Sequence, residues 1–113
     1  REITLLNRIR RLNPALQTHL GLSFLPCSND QVLYFSKATA DRHNVLLIAV
    51  SLDPHQAQTM DFEIPLWDFG LPDDGRLTVD DLVNEQHFLW HGKHQQWRLT
   101  PQQPFAIWRI RTP

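Results

Sequence analysis

Residues 45–50, Val45-Leu46-Leu47-Ile48-Ala49-Val50, are apolar without a break, and this run constrains the fold more than any other feature. A strand with one face in water alternates apolar and polar residues. A short unbroken run bounded by turn signals reads instead as a strand covered on both faces. The run belongs to a strand over residues 44–52, closed by Asp53-Pro54. A sheet whose central strand is buried twice needs one layer above it and another below.

The rest of the chain supplies short strands at regular intervals. Residues 22–25 form a brief one stopped by Pro26, and residues 31–37 a longer one. Met60, Phe62, Ile64 and Leu66 alternate with Asp61, Glu63 and Pro65, which predicts a one-faced strand over 60–66. Leu71-Pro72-Asp73-Asp74-Gly75 has the residue types of a turn. Strands follow at 76–83, 86–91, 95–99 and 105–111, with Gly92-Lys93 read as a tight hairpin between the second and third of these. The pattern predicts an all-β fold, an antiparallel β-sandwich of Greek-key type, preceded by one α-helix.

That helix is predicted over residues 2–16. Leu5, Ile9, Leu12 and Leu16 recur at helical spacing, while Arg8, Arg10 and Arg11 lie off the stripe. Pro14 disfavours helix at Asn13, so the regular part ends near Leu12. Arg1 already stands inside the pattern with no N-capping residue before it, so the chain reads as part of something longer. The stripe is the candidate domain interface, to be packed on this sheet or on a neighbour. The expected division is residues 1–16, the end of a preceding domain, and residues 17–113, the sandwich.

Bulk properties narrow the function classes. A formal net charge of -1 argues against a nucleic-acid partner. The arginine cluster has a sufficient explanation at the negative end of the helix dipole. The single cysteine, Cys27, excludes an intrachain disulfide, which suits a reducing compartment and a cytoplasmic protein. No apolar run reaches membrane-spanning length, so no membrane partner is expected.

Candidate sites are few. His87, His91 and His94 have metal-like spacing, but His87 and His91 fall two pleats apart on one strand face with Leu89. Zinc ligands must converge to about 2 Å from the ion, so these histidines read as a polar face and no metal or other cofactor is expected. Trp90, Trp97 and Trp108 share strand parity with Phe88, Leu99 and Ile110 and read as core. Trp67 stands at a strand end and is the candidate for stacking on a sugar ring, against a plainer reading as a packing residue. Asp53 and the Asp73-Asp74-Gly75 run are turn chemistry. Asp80 and Asp81 are adjacent, so on a strand they face opposite sides and form no catalytic pair.

Several segments together resemble one family. Asn7-Arg8-Ile9-Arg10-Arg11-Leu12-Asn13-Pro14-Ala15-Leu16 is similar to the last barrel helix, and its exit, of α-amylase-type enzymes. The strand and turn ending Leu52-Asp53-Pro54-His55 resembles the one those enzymes carry in their C-terminal sandwich. Glu63-Ile64-Pro65-Leu66-Trp67-Asp68-Phe69-Gly70-Leu71-Pro72-Asp73-Asp74-Gly75 is the most specific match. It resembles a segment of α-1,4-glucan:maltose-1-phosphate maltosyltransferases, of the glycoside hydrolase family 13 type. Phe88-Leu89-Trp90-His91-Gly92 and Pro104-Phe105-Ala106-Ile107-Trp108-Arg109-Ile110 continue the match in order. Asn84-Glu85 departs from it where a glycine turn is usual, and Ser51 where Asn is usual.

The resemblance implies a transferase of α-glucan biosynthesis that moves maltosyl units from α-maltose 1-phosphate onto an α-1,4-glucan with retention. Retaining chemistry needs two carboxyl groups about 5–5.5 Å apart. In this family both come from the (β/α)8 barrel, and no residue of this chain matches a catalytic motif. The implied role is a non-catalytic C-terminal domain that stabilises the catalytic barrel of the same polypeptide, its partner. An exposed former interface would also promote a homodimer. The alternative is an α-glucan-binding module of an α-amylase or trehalose-forming relative.

Overall fold

The computed structural model describes residues 22–39 and 44–111. The proposed helix over 1–16, with Leu5, Ile9, Leu12 and Leu16, lies outside the described residues, as does the boundary at residue 17. The described residues form the expected antiparallel β-sandwich. Its strands are β1 (Leu22–Phe24), β2 (Val32–Ala38), β3 (Val45–Ser51), β4 (Gln58–Glu63), β5 (Arg76–Asp81), β6 (Gln86–His91), β7 (His94–Leu99) and β8 (Phe105–Arg111). Six of them make one sheet in the order β1-β2-β3-β8-β5-β6, and β4 pairs with β7 in a second. All strand pairs are antiparallel.

The unbroken run lies where its composition demands. β3 sits between β2 and β8, and Leu47 and Ala49 face the space between the sheets. Leu46 and Ile48 face the other way, into a second apolar cluster with Ile107. The inner core is filled from both sheets: Tyr34, Leu47, Leu77, Val79, Trp90 and Trp108 from one, Met60, Phe62 and Leu99 from the other.

Three readings change. The strand predicted over 60–66 starts at Gln58 and stops at Glu63. Pro65 has no N–H to give a ladder, and a 3-10 helix, Leu66–Phe69, follows it. β5 ends at Asp81 rather than Val83, because the Asp81 carboxylate accepts the Val83 and Asn84 amides at 3.0 Å each and turns the chain. Gly92-Lys93 is not a hairpin. β6 pairs with β5 and β7 with β4, so these two residues carry the chain from one sheet to the other. Their amides bond the 71–75 turn instead, Gly92 N to Gly75 O at 2.8 Å and Lys93 N to Asp73 O at 3.0 Å. Gly92 adopts φ +82°, which a residue with a Cβ enters only with strain.

Candidate functional site

The inner core is an aromatic cluster built by alternation along five strands. Phe62 stacks on Trp108 with ring centres 5.4 Å apart and planes within 7°. Trp90 and Trp97 meet Trp108 edge-on at 5.0 and 5.2 Å. Phe88 stacks on Trp97 at 6.1 Å, and Tyr34 meets Phe62 at 5.0 Å. Such contacts add about 0.5–1.5 kcal/mol each beyond the area they bury. The Tyr34 hydroxyl donates to the Glu63 carbonyl at 2.9 Å. Burial pushes its phenol pKa well above the usual range. Among the described residues the Trp108 indole N–H has no hydrogen-bond acceptor. Trp90 and Trp108 are buried in this packing and Trp97 is half-buried against it, on the inward side that their parity predicts.

Trp67 lies in the 3-10 helix Leu66–Phe69, beside the buried Leu66. Its side chain is outside the described residues. The histidines are divided between the sheets. His87 and His91 are exposed on β6, and His94 is exposed on β7 of the second sheet. Among the described residues no group of three or more His, Cys, Asp or Glu side chains is placed to hold a metal.

Asp80 and Asp81 do face opposite ways, and each has a distinct task. Asp81 caps the turn described above, with its second oxygen accepting Asn84 Nδ2 at 2.8 Å. Asp80 is 1% exposed on the outer face of the six-stranded sheet. One of its oxygens accepts Arg109 Nε at 3.0 Å and lies 2.9 Å from Arg109 Nη2. The other accepts Arg111 Nη2 at 2.9 Å and lies 2.6 Å from His87 Nδ1. Burial raises the Asp80 pKa, but the His87 bond and the two guanidinium groups outweigh it and hold the carboxyl below its ordinary value. Sequence reasoning missed this cluster. Its signal is Arg109 and Arg111 two apart on one strand, opposite an aspartate, but using it requires the β5–β8 register.

A groove of about 650 Å³ runs between the 26–28 loop and the outer side of β4 and β7. Ser28 and Asp61 tie its walls together by Ser28 N to Asp61 O and Asp61 N to Ser28 Oγ, both 2.9 Å. Asp61 Oδ1 accepts Gln96 Nε2 at 2.8 Å, and Glu63, His94 and Gln95 add polar groups to a lining that also holds Pro26, Cys27 and Phe62. Two turns behave as expected. Asp53 accepts the His55 and Gln56 amides and Gln58 Nε2, which keeps its pKa low. Lys93 Nζ lies 3.3 Å from Asp73 and 3.5 Å from Glu63, which raises its pKa.

Fold and site together define a β-sandwich domain whose aromatic side chains are largely spent on its own core. Comparison with known families matches residues 24–110 to the family described as GLGE, C-terminal. The chain belongs to this family. It is 58% identical over 111 residues to an alpha-1,4-glucan:maltose-1-phosphate maltosyltransferase of Pseudomonas aeruginosa, covering 97% of this chain and 17% of the relative. A protein of the same name from Cereibacter sphaeroides is 50% identical over 113 residues, covering 99% and 17%. The chain therefore spans about a sixth of the length of these curated relatives.

Solved structures share the fold alone. A GH27 b-L-arabinopyranosidase from Geobacillus stearothermophilus matches with TM-score 0.58 at 13% identity, covering 81% of this chain and 19% of that one. Alpha-galactosidase I from Mortierella vinacea matches with TM-score 0.58 at 14% identity, covering 79% and 22%. Among the described residues no helix is long and apolar enough to cross a membrane.

Proposed function

We propose that this chain is the non-catalytic C-terminal domain of an α-glucan-synthesising maltosyltransferase, and that it stabilises the catalytic barrel that precedes it in the same polypeptide. The barrel would carry the carboxylate pair and move maltosyl units from α-maltose 1-phosphate to an α-1,4-glucan. The observation that carries the reading is the burial of Trp90 and Trp108 in one shared core, with Trp97 packed half-buried against it. Buried rings offer no face to a pyranose. An apolar edge supports the packing role: Leu22, Phe24 and Leu33 are 44%, 67% and 41% exposed and lie together at β1 and β2. A contiguous apolar edge of this kind suits a domain contact. Leu5, Ile9, Leu12 and Leu16 are the chain's other interface candidates. A homodimer would use the same edge, and a cytoplasmic location suits a single unpaired thiol.

A second reading, glucan binding by the domain itself, is favoured by the groove where Asp61, Glu63, His94, Gln95 and Gln96 stand beside Pro26 and Phe62. Amide and carboxylate side chains of this kind hydrogen-bond sugar hydroxyls. Titration with maltoheptaose, followed by tryptophan fluorescence and by amide chemical shifts, separates the two. Packing predicts no response at tens of millimolar sugar. Saturable change with a Kd near about 1 mM, roughly 4 kcal/mol of binding, would replace it with the binding reading and make Trp67 and Asp61 the first residues to substitute.

A further inference from the structure

The β8-β5-β6 side of the outer face carries a positive charge that the chain as a whole lacks. Arg76, Arg109 and Arg111 stand on that face, since Leu77, Val79, Trp108 and Ile110 beside them fill the inner core. Asp80 is the one acid that these three strands present there. Three permanent cations therefore share a face with one carboxylate, in a chain whose formal net charge is -1. That carboxylate is also the member that water hardly reaches. Asp80 is buried, whereas the side chains of Arg109, Arg111 and His87 are 37%, 55% and 72% exposed. What this region shows to solvent is positive.

The cations are also held in place. A guanidinium carries its N–H groups in one rigid plane. Asp80 engages Arg109 through Nε and Nη2, and Arg111 through Nη2. The Nη1 end of each guanidinium is left turned from the carboxylate. His87 meets the same carboxylate through Nδ1, so its Nε2 lies on the far side of the ring. One buried anchor thus fixes two forks and an imidazole before any ligand arrives, and donors fixed in advance lose little freedom on binding. A single carboxylate does not neutralise two guanidinium groups, so a second anion beside them is attracted. We infer that Arg109 and Arg111, with His87 beside them, bind a phosphate group, free or as a monoester. A tetrahedral phosphate offers at least three oxygens to the two forks, where a second carboxylate would offer only two. Arg76 is the next residue on this face of β5 after Thr78, the partner of Arg111, and adds to the attraction.

Titration of the full chain with inorganic phosphate at neutral pH, followed by arginine Nε–H and backbone amide resonances, tests this. Saturable shifts are expected at Arg109, Arg111 and His87, with a Kd of about 1–10 mM. Sodium chloride at the same ionic strength should not reproduce them. Arg111→Gln keeps Arg109 on Asp80 and should weaken binding about tenfold, the worth of one charge-assisted bond, with the Trp108 indole resonance unmoved. Arg98→Gln, on β7 of the other sheet, should leave the affinity unchanged. Glycerol 2-phosphate separates the two sources of the group. Comparable affinity assigns the site to phosphate monoesters, and clearly weaker binding confines it to free phosphate. The inference is overturned by any of four results: no saturable shift at tens of millimolar phosphate, the same shifts in chloride, unchanged affinity in Arg111→Gln, or an equal loss in Arg98→Gln. No sugar and no transfer reaction enters the titration, so its failure leaves the proposed function standing, and the converse holds.

Discussion

The two faces of the six-stranded sheet solve the problem of burial differently. The inner face excludes water with interlocked aromatic rings, Trp108 at the centre, and its main polar handle is the Tyr34 hydroxyl. The outer face is apolar at its β2, β3 and β8 side and charged at its β5 side, where Asp80 gathers Arg109, Arg111 and His87. The inner face is complete within the described strands. The outer face places a nearly inaccessible carboxylate beside a small buried apolar cluster, Leu46, Ile48 and Ile107. One face is held by ring packing, the other by a carboxylate shared among two guanidinium groups and an imidazole.

Removing the centre of the inner face should have the largest effect. Trp108→Ala leaves a void between Phe62, Trp90 and Trp97, and large-to-small core changes of this kind cost about 3–5 kcal/mol. Chemical denaturation is expected to find the variant barely folded. A loss under about 1 kcal/mol would mean that the cluster can collapse onto the gap, and that the inner face is less tightly interlocked than its ring geometry indicates.

Asp80→Asn should come next, at about 1–3 kcal/mol near neutral pH. It leaves two guanidinium groups without their carboxylate, and both retain some solvent, which keeps the cost below that of a fully buried pair. The native pH dependence follows from the depressed pKa. Folding stability from Asp80 is fully present above the ordinary carboxyl value of 3.8, and is lost as pH falls through the lower folded value. Wild type should therefore lose stability on acidification below about pH 4, and Asp80→Asn should show a flatter acid limb. Parallel limbs would remove Asp80 from the account of the outer face.

Tyr34→Phe removes only the hydroxyl that reaches from the inner core to the Glu63 carbonyl. The expected loss is about 1 kcal/mol, the net worth of one such bond plus an acceptor left in need of water. A neutral result would show that the ring alone fixes the position of β4.

The sequence disclosed these faces unequally. Parity along β6 and β8 placed Trp90 and Trp108 inside, because an aromatic residue two away from other apolar residues has one face to share. The unbroken run in β3 disclosed that the strand is buried on both faces. What local pattern cannot carry is pairing between distant strands. Arg109 meets Asp80 only because β8 inserts beside β5, and the Gly92-Lys93 connection looks like a hairpin until β4 is seen to take β7 away from β6. A tight turn fixes the direction of the chain but not its hydrogen-bonding partner. The groove between the 26–28 loop and β4 was hidden for the same reason, since the residues across it are more than thirty apart in sequence.

The smallest expected effect tests how far the apolar part of the outer face extends. Leu89 is 64% exposed on the outer face of β6, opposite Thr78 and beyond the charged cluster. A leucine already in water loses little burial when shortened, so Leu89→Ser should change stability by no more than about 0.5 kcal/mol. Thermal unfolding of the two proteins side by side resolves that difference. A larger loss would mean that Leu89 packs more closely than its exposure indicates, and that the apolar part of the outer face runs past the Asp80 cluster to the sheet edge. A neutral result confines the buried apolar cluster to β3 and β8, and leaves the Asp80 cluster as its charged border.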